Sequence, residues 1–168
     1  MEPRELAAHK AAPKVLTVTP SFTPLKKGKL PKPFNKTGGA RFQSTGMLKL
    51  SDDHSALFIW RSGEILADAS FYGYLTCNLP RGALGIILEF HWHPSHKGIH
   101  CKVPCKTDLD YTDRFLVKAP ELALSGSTSL DPRLDLDRQK LIALFCKACG
   151  VTLDPDADKS QLNLWNSW

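Results

Sequence analysis

The stretch of sequence that decides the fold is ALGIILEFHWHPSHKGIHCKV, residues 83–103. Residues 83–93 are a long apolar and aromatic run, which is typical of a strand buried in a sheet. Residues 94–97 have the composition of a turn, and residues 98–103 predict a second strand that returns antiparallel to the first. We therefore expect a β-hairpin here.

The polar residues of this hairpin are predicted to share one face of the sheet. Side chains alternate between the two faces of a strand, so Phe90 and Trp92 are expected on the face opposite their polar neighbours. If the hairpin register brings the apolar faces of both strands together, the polar residues converge on one surface. That surface would contain Glu89, His91, His93, His100 and Lys102.

The sequence before the hairpin predicts further strands. Strand-like segments occur at 41–50, 55–61 and 71–77. The segment 55–61 is apolar on both faces, which favours a central strand. Short polar or glycine-containing turns separate these segments, so we expect a mostly antiparallel sheet.

The sequence after the hairpin predicts one main helix. Asp131 is suited to cap it, Pro132 suits its first turn, and Gly150 suits its end. An apolar stripe at helical spacing is made by Leu134, Leu141, Leu144, Phe145 and Ala148. We therefore predict an α+β fold in which this C-terminal helix packs on one face of the sheet.

The first 39 residues differ from the rest in composition. Residues 1–50 contain ten Lys or Arg and two Asp or Glu, and no acid occurs between Glu5 and Asp52. Proline disfavours regular structure and like charges repel, so we predict that 1–39 is an extended or disordered basic arm before one domain at 40–168. Such an arm is either a solvated linker or a nucleic-acid contact. The candidate contacts are Lys26, Lys27, Lys29, Lys32, Lys36, Arg41 and Lys97.

The polar surface of the hairpin suits three hypotheses. In the first, two histidines cleave RNA without metal: one imidazole removes the 2′-hydroxyl proton, another protonates the leaving oxygen, and Lys102 or Lys97 stabilises the added charge. In the second, His91, His93 and His100 hold a catalytic metal ion. In the third, the surface carries no chemistry. His9 and His54 have no partner nearby in the sequence and are not assigned a role.

The cysteines offer a separate hypothesis. Cys101, Cys105, Cys146 and Cys149 form two pairs whose thiolates would suit a structural zinc ion, although the first pair has three intervening residues instead of two. The other interpretation is that these are small apolar side chains in the core. The chain contains five cysteines, an odd number, which disfavours a fully disulfide-bonded secreted protein. We therefore expect a cytoplasmic protein.

The composition excludes several classes of protein. Hydrophobic residues make up 42% of the 168 residues and charged residues 23%, which is typical of a globular domain. No apolar run approaches the roughly 20 residues that a membrane-spanning helix needs, so no membrane partner is expected. Phosphate-binding glycine loops and serine-hydrolase motifs are also absent from the sequence.

The order of elements over residues 70–150 resembles the TumE-type RNase toxins of toxin–antitoxin systems. Aromatic strands at 71–74 and 88–90 precede a His-rich turn at 93–100 and a terminal helix, although Glu-Phe-His-Trp at 89–92 replaces the family's Tyr-Asp-Asn. The resemblance implies a ribonuclease toxin with an antitoxin partner.

We therefore predict a small RNase-like or nucleic-acid-processing protein of a bacterium or mobile element, which acts on RNA without a cofactor. The alternative is a non-catalytic module that binds nucleic acid or protein and is stabilised by zinc.

Overall fold

The computed structural model describes residues 3–93, 98–102 and 130–154, with the backbone alone for residues 98–102. In this part of the chain there are two α-helices and eight strands. They are α1 (Pro3–Ala11), β1 (Val15–Leu16), β2 (Thr23–Pro24), β3 (Phe42–Lys49), β4 (His54–Arg61), β5 (Ser70–Asn78), β6 (Leu84–His93), β7 (Gly98–Lys102), α2 (Asp135–Cys149) and β8 (Thr152–Leu153).

Six of the strands form one antiparallel sheet in the order β2-β3-β4-β5-β6-β7. The predicted α+β class, with a mostly antiparallel sheet and a C-terminal helix on one face, is thereby confirmed. The hairpin at 83–103 is present as β6 and β7, and β4 lies inside the sheet, as its two apolar faces predict. Strands β1 and β8 form a separate parallel pair.

The main core lies between the sheet and α2. Phe58, Phe71 and Phe90 project from three neighbouring strands, and the ring of Phe145 on α2 lies 4.9 Å from that of Phe58 and 6.1 Å from that of Phe90. Gly73 on β5 makes this approach possible, because a Cβ there would lie 2.8 Å from the Phe145 ring. Helix α2 therefore packs over the one position of β5, Gly73, that has no side chain.

The helix begins later than the sequence predicts. Asp131 was expected to cap it, but its carboxylate accepts the backbone N–H of Arg133, and the Leu134 N–H bonds to the Asp131 carbonyl oxygen at 2.9 Å. These bonds close a turn, and α2 starts at Asp135. Leu134 is consequently 57% exposed and lies outside the buried stripe. The predicted end is confirmed, since Gly150 has a left-handed conformation and its N–H bonds to the last turn.

The face of the sheet opposite α2 is apolar over β4, as the two-sided apolar pattern of that strand predicts. Leu57 and Ile59 of β4 are fully buried there beneath the segment that joins β2 to β3. The side chains that cover them are Leu25, Leu30 and Phe34, all at most 7% exposed. Farther along this face, the polar residues of β6 lie beside β5.

Parts of the segment 3–39 are buried in the fold, whereas the sequence predicts an extended or disordered arm there. Leu16 is buried in the main core, and α1 lies so close to the end of α2 that a Cβ at Gly150 would overlap the Lys10 carbonyl oxygen. The segment therefore contributes buried side chains to both apolar clusters. Proline and lysine prevent a long helix or strand, but an extended chain can still bury isolated apolar side chains between them.

None of the helices among the described residues is both long and apolar enough to cross a membrane.

Candidate active site

Adjacent strands β5 and β6 bring five chemically active side chains together. Their Cα register pairs Tyr72 with His91 and Tyr74 with Glu89, and His93 is two residues beyond His91. Opposed residues in an antiparallel pair share a face, so all five lie on the face that α2 does not cover. We call Tyr72, Tyr74, Glu89, His91 and His93 the histidine cluster.

The rings of the histidine cluster are in mutual contact. The centroids of the His91 and His93 rings are 5.7 Å apart, and the Tyr72 ring lies 5.1 Å from the first and 5.2 Å from the second. Each of these pairs is arranged edge to face. Tyr72 therefore fixes the orientation of both imidazoles relative to each other.

A carboxylate lies beside one of the two imidazoles. Glu89 Oε2 is 3.2 Å from Nε2 of His91, and both side chains are 17% exposed. Nε2 itself is buried. The carboxylate and the imidazole are therefore close neighbours within the cluster.

Tyr74 completes the cluster as a hydrogen-bond donor. Burial raises the pKa of its phenol, and the nearby charge of Glu89 and the Tyr72 phenol raise it further. The hydroxyl consequently keeps its proton throughout the neutral range and can donate a hydrogen bond to an anion.

Strand β7 places two further predicted residues next to the cluster. In the backbone register His100 is opposite His91 and Lys102 is opposite Glu89. The side chains of both residues, and the whole turn at 94–97 with Lys97, lie outside what the structure describes. Their predicted roles stay predictions.

A cationic loop lies beside the histidine cluster. We call residues 25–39, between β2 and β3, the lysine loop. Its five lysines are exposed, and none of them makes an ion pair with a residue that the structure describes; they are Lys26, Lys27, Lys29, Lys32 and Lys36. The buried Phe34 ring lies 4.7 Å from the Tyr74 ring and so joins the loop directly to the cluster.

Arg41 has a different environment from these lysines. Its Nε donates to the Ser62 carbonyl oxygen at 2.8 Å, and its Nη2 lies 3.4 Å from the Asp68 carbonyl oxygen. These bonds tie the start of β3 to the connection between β4 and β5. The predicted nucleic-acid contact at Arg41 would therefore compete with bonds to the backbone.

The residues of both metal hypotheses are only partly described. No group of three or more His, Cys, Asp or Glu side chains has the arrangement of a metal site within the described ranges. Cys146 and Cys149 are buried in the main core, and burial raises the pKa of Cys146 to about 12, which disfavours the thiolate that zinc requires. Cys105 and the side chains of His100 and Cys101 lie outside the described part, so both zinc alternatives stay predictions.

One polar cluster was missed by sequence reasoning. Buried His54 has its Nε2 3.0 Å from Nδ1 of His9 and its Nδ1 3.0 Å from the Ser51 hydroxyl. Nearby, the ammonium group of Lys14 donates to carbonyl oxygens at the end of α1, including those of Lys10 and Ala12. His9 and His54 are 45 residues apart, and no local pattern in the sequence signals their contact.

Comparison of the chain with known protein families, curated proteins and solved structures finds no match.

Proposed function

We propose that this protein binds single-stranded RNA across the histidine cluster and cleaves it without a metal ion. The supporting observation is the contact between His91 and His93 on the face of the sheet that α2 does not cover, with Glu89 beside one ring. The five exposed lysines of the lysine loop supply the positive charge that attracts a phosphate backbone.

In this proposal two different histidines carry out the proton transfers. Glu89 faces Nε2 of His91, which leaves Nδ1 as the proton acceptor, and the carboxylate stabilises the imidazolium that forms. His91 is accordingly the general base that removes the 2′-hydroxyl proton. The 2′-oxygen then attacks phosphorus, His93 donates a proton to the departing 5′-oxygen, and the products are a 2′,3′-cyclic phosphate and a free 5′-hydroxyl.

The tyrosines supply binding and charge stabilisation in this proposal. Tyr72 offers a partly exposed ring on which a base can stack, as aromatic side chains do in single-strand-binding proteins. Tyr74 keeps its proton and can donate a hydrogen bond to a phosphoryl oxygen while negative charge builds there. Lys102, opposite Glu89 in the register, would add a positive charge.

The resemblance to TumE-type toxins extends the proposal to a biological role. A ribonuclease that cleaves cellular RNA in the cytoplasm is toxic, and an antitoxin would protect the host by covering the histidine cluster. Expression of the intact protein should then arrest growth, whereas expression of His93→Ala should not. Growth arrest by both proteins would show that the toxicity does not depend on the histidine cluster.

The experiment that tests the proposal measures cleavage of a labelled oligoribonucleotide with and without a chelator. His91→Ala and His93→Ala should each lower the rate by about 10²-fold or more, the usual effect of losing a general acid or base. Chelator should leave the rate unchanged. Lys49→Gln, an exposed residue paired with Asp52, is the control and should cleave normally.

Two results would redirect the proposal. Binding of RNA without cleavage would favour the non-catalytic module. Loss of cleavage on chelation, with zinc in the purified protein, would favour a metal site completed by residues such as His100.

A further inference from the structure

A cleft lies between the lysine loop and strand β3, at the far end of the sheet from β7. Its volume is about 370 Å³, within the range of small-ligand sites. The residues that line it are Thr23, Pro24, Leu25, Lys26, Lys29, Leu30, Ser44 and Gly46. None of these described residues is acidic.

An irregularity in β3 lies at the wall of this cleft. The register of β3 against β4 shifts between Ser44 and Met47, and Gly46 has a φ of +70° with no atom within 4 Å of where a Cβ would be. The Ser44 hydroxyl accepts the Gly46 N–H at 3.0 Å, and the Thr45 hydroxyl accepts the Phe58 N–H at 3.2 Å. These bonds hold the bulge in place, so the cleft is preformed. Bulges of this kind are frequent beside functional sites.

The lysine loop is also held in a defined conformation. The Leu25 N–H bonds to the Phe42 carbonyl oxygen at 2.8 Å, and the Gly39 N–H bonds to the Leu25 carbonyl oxygen at 2.9 Å. Across the loop, the Gly28 N–H bonds to the Asn35 carbonyl oxygen at 2.9 Å. The loop therefore presents Lys26 and Lys29 to the cleft from a fixed backbone.

The chemistry of the lining suits a phosphorylated ligand with an apolar part. Lys26 and Lys29 line the cleft, and ammonium groups attract phosphate oxygens. Thr23 and Ser44 add hydroxyl-bearing side chains to the lining. The leucine and proline walls offer apolar surface to a ribose or a base. A nucleotide combines these two properties.

The cleft and the histidine cluster belong to one side of the sheet. Ser44 is the register partner of Ile59, whose buried side chain lies in the same apolar cluster as Leu25, Leu30 and Tyr74. Three to four strand spacings separate β2 and β3 from β6, which is about 14–19 Å. A short stretch of extended RNA spans such a distance.

We infer that this cleft is a phosphate-binding subsite that holds RNA at a nucleotide away from the bond broken at the histidine cluster. The inference rests on the proposed function and adds to it that the protein acts on strands longer than a dinucleotide. Lys26 and Lys29 contact the strand, and Lys27 and Lys32, outside the cleft, contribute only diffuse attraction.

The experiment compares two double variants with equal loss of charge in the same loop. Lys26→Gln/Lys29→Gln removes the ammonium groups of the cleft, and Lys27→Gln/Lys32→Gln is the matched control. Affinity for a labelled single-stranded oligoribonucleotide is measured by fluorescence anisotropy over a range of salt concentrations, and cleavage kinetics are measured on the same oligonucleotide and on a dinucleoside monophosphate.

We expect the cleft variant to bind the oligonucleotide about 10-fold or more weakly and to lose about 1.4 from the slope of log affinity against log salt, the value for two contacts to a single strand. The control should lose less than half of that slope. Cleavage of the oligonucleotide should show a raised KM with unchanged kcat, because the cleft lies away from the reacting atoms. Turnover of the dinucleoside monophosphate should fall much less than turnover of the oligonucleotide, because the shorter substrate does not reach the cleft.

The failures of the two proposals are distinguishable. Equal losses of affinity and slope in both double variants overturn the cleft while leaving cleavage intact. Selective loss of affinity in the cleft variant, without strand scission by the intact protein, supports the cleft and overturns cleavage. Failure of the intact protein to bind RNA overturns both.

Discussion

Replacing Phe34 with alanine should destabilise the protein by about 3–5 kcal/mol, the usual cost of removing a buried phenylalanine. The side chain is 5% exposed and packs among Leu25, Leu30, Leu57 and Ile59. Removing it leaves a cavity over β4 that a loop fixed at both ends cannot close completely. This substitution tests whether the lysine loop is part of the folded core.

Part of this cost should be specific to one aromatic neighbour. The Phe34 and Tyr74 rings are 4.7 Å apart with a tilt of 57°, and aromatic pairs contribute about 0.5–1.5 kcal/mol beyond their buried area. A double-mutant cycle with Phe34→Leu and Tyr74→Leu should recover a coupling free energy of that size. The measurement is urea unfolding followed by circular dichroism at fixed salt.

The control for this series is Lys36→Ala, at an exposed position in the same loop, where the free energy of unfolding should change by less than about 0.5 kcal/mol. A cost below about 1 kcal/mol for Phe34→Ala would refute the docking of the loop. If Phe34→Ala has the expected cost but Phe34 shows no coupling to Tyr74, the direct connection between the lysine loop and the histidine cluster is refuted.

Three further predictions concern the other side of the sheet. Burial and the nearby charges of Lys14 and His9 lower the pKa of His54 from 6.5, so the unfolded chain binds a proton there before the native protein does. The free energy of unfolding should therefore fall as pH falls through about 6.5. In the same titration the free energy of unfolding of His54→Gln should fall less. An equal pH dependence in both proteins would contradict this assignment. Burial raises the pKa of Cys146 to about 12, so a thiol reagent should modify this cysteine only after the protein unfolds. Fast modification of Cys146 in the native protein would show that this side chain is outside the core. Gly73→Ala should cost more than about 1 kcal/mol in thermal unfolding because its Cβ would meet Phe145, and a neutral effect would mean that α2 can shift away.

The sequence predicts the central sheet well because its signals are local. Alternation along β6 and the two-sided apolar character of β4 each depend on neighbouring residues. The shared face of Glu89, His91 and His93 follows from the same alternation. The structure adds the contact of these residues with Tyr72, which needs the register of β5 against β6.

The sequence cannot predict the docking of the lysine loop because its apolar residues have no period. Leu25, Leu30 and Phe34 are single apolar residues among lysines and prolines, and the surface they cover is the face of β4 opposite α2. The contact between His9 and His54 is similarly a product of tertiary packing. At the start of α2, two local patterns compete, and the turn closed by Asp131 prevails over the expected helix cap.

The chemistry at the ends of the RNA product tests the central proposal most directly. Mass spectrometry of the fragments should find a 2′,3′-cyclic phosphate on one and a 5′-hydroxyl on the other, and a 2′-deoxy nucleotide at the cleaved position should prevent cleavage. These results follow if His91 removes the 2′-hydroxyl proton and His93 protonates the 5′-oxygen. Fragments ending in 3′-hydroxyl and 5′-phosphate, or unimpaired cleavage of the deoxy-substituted strand, would contradict catalysis by these two histidines.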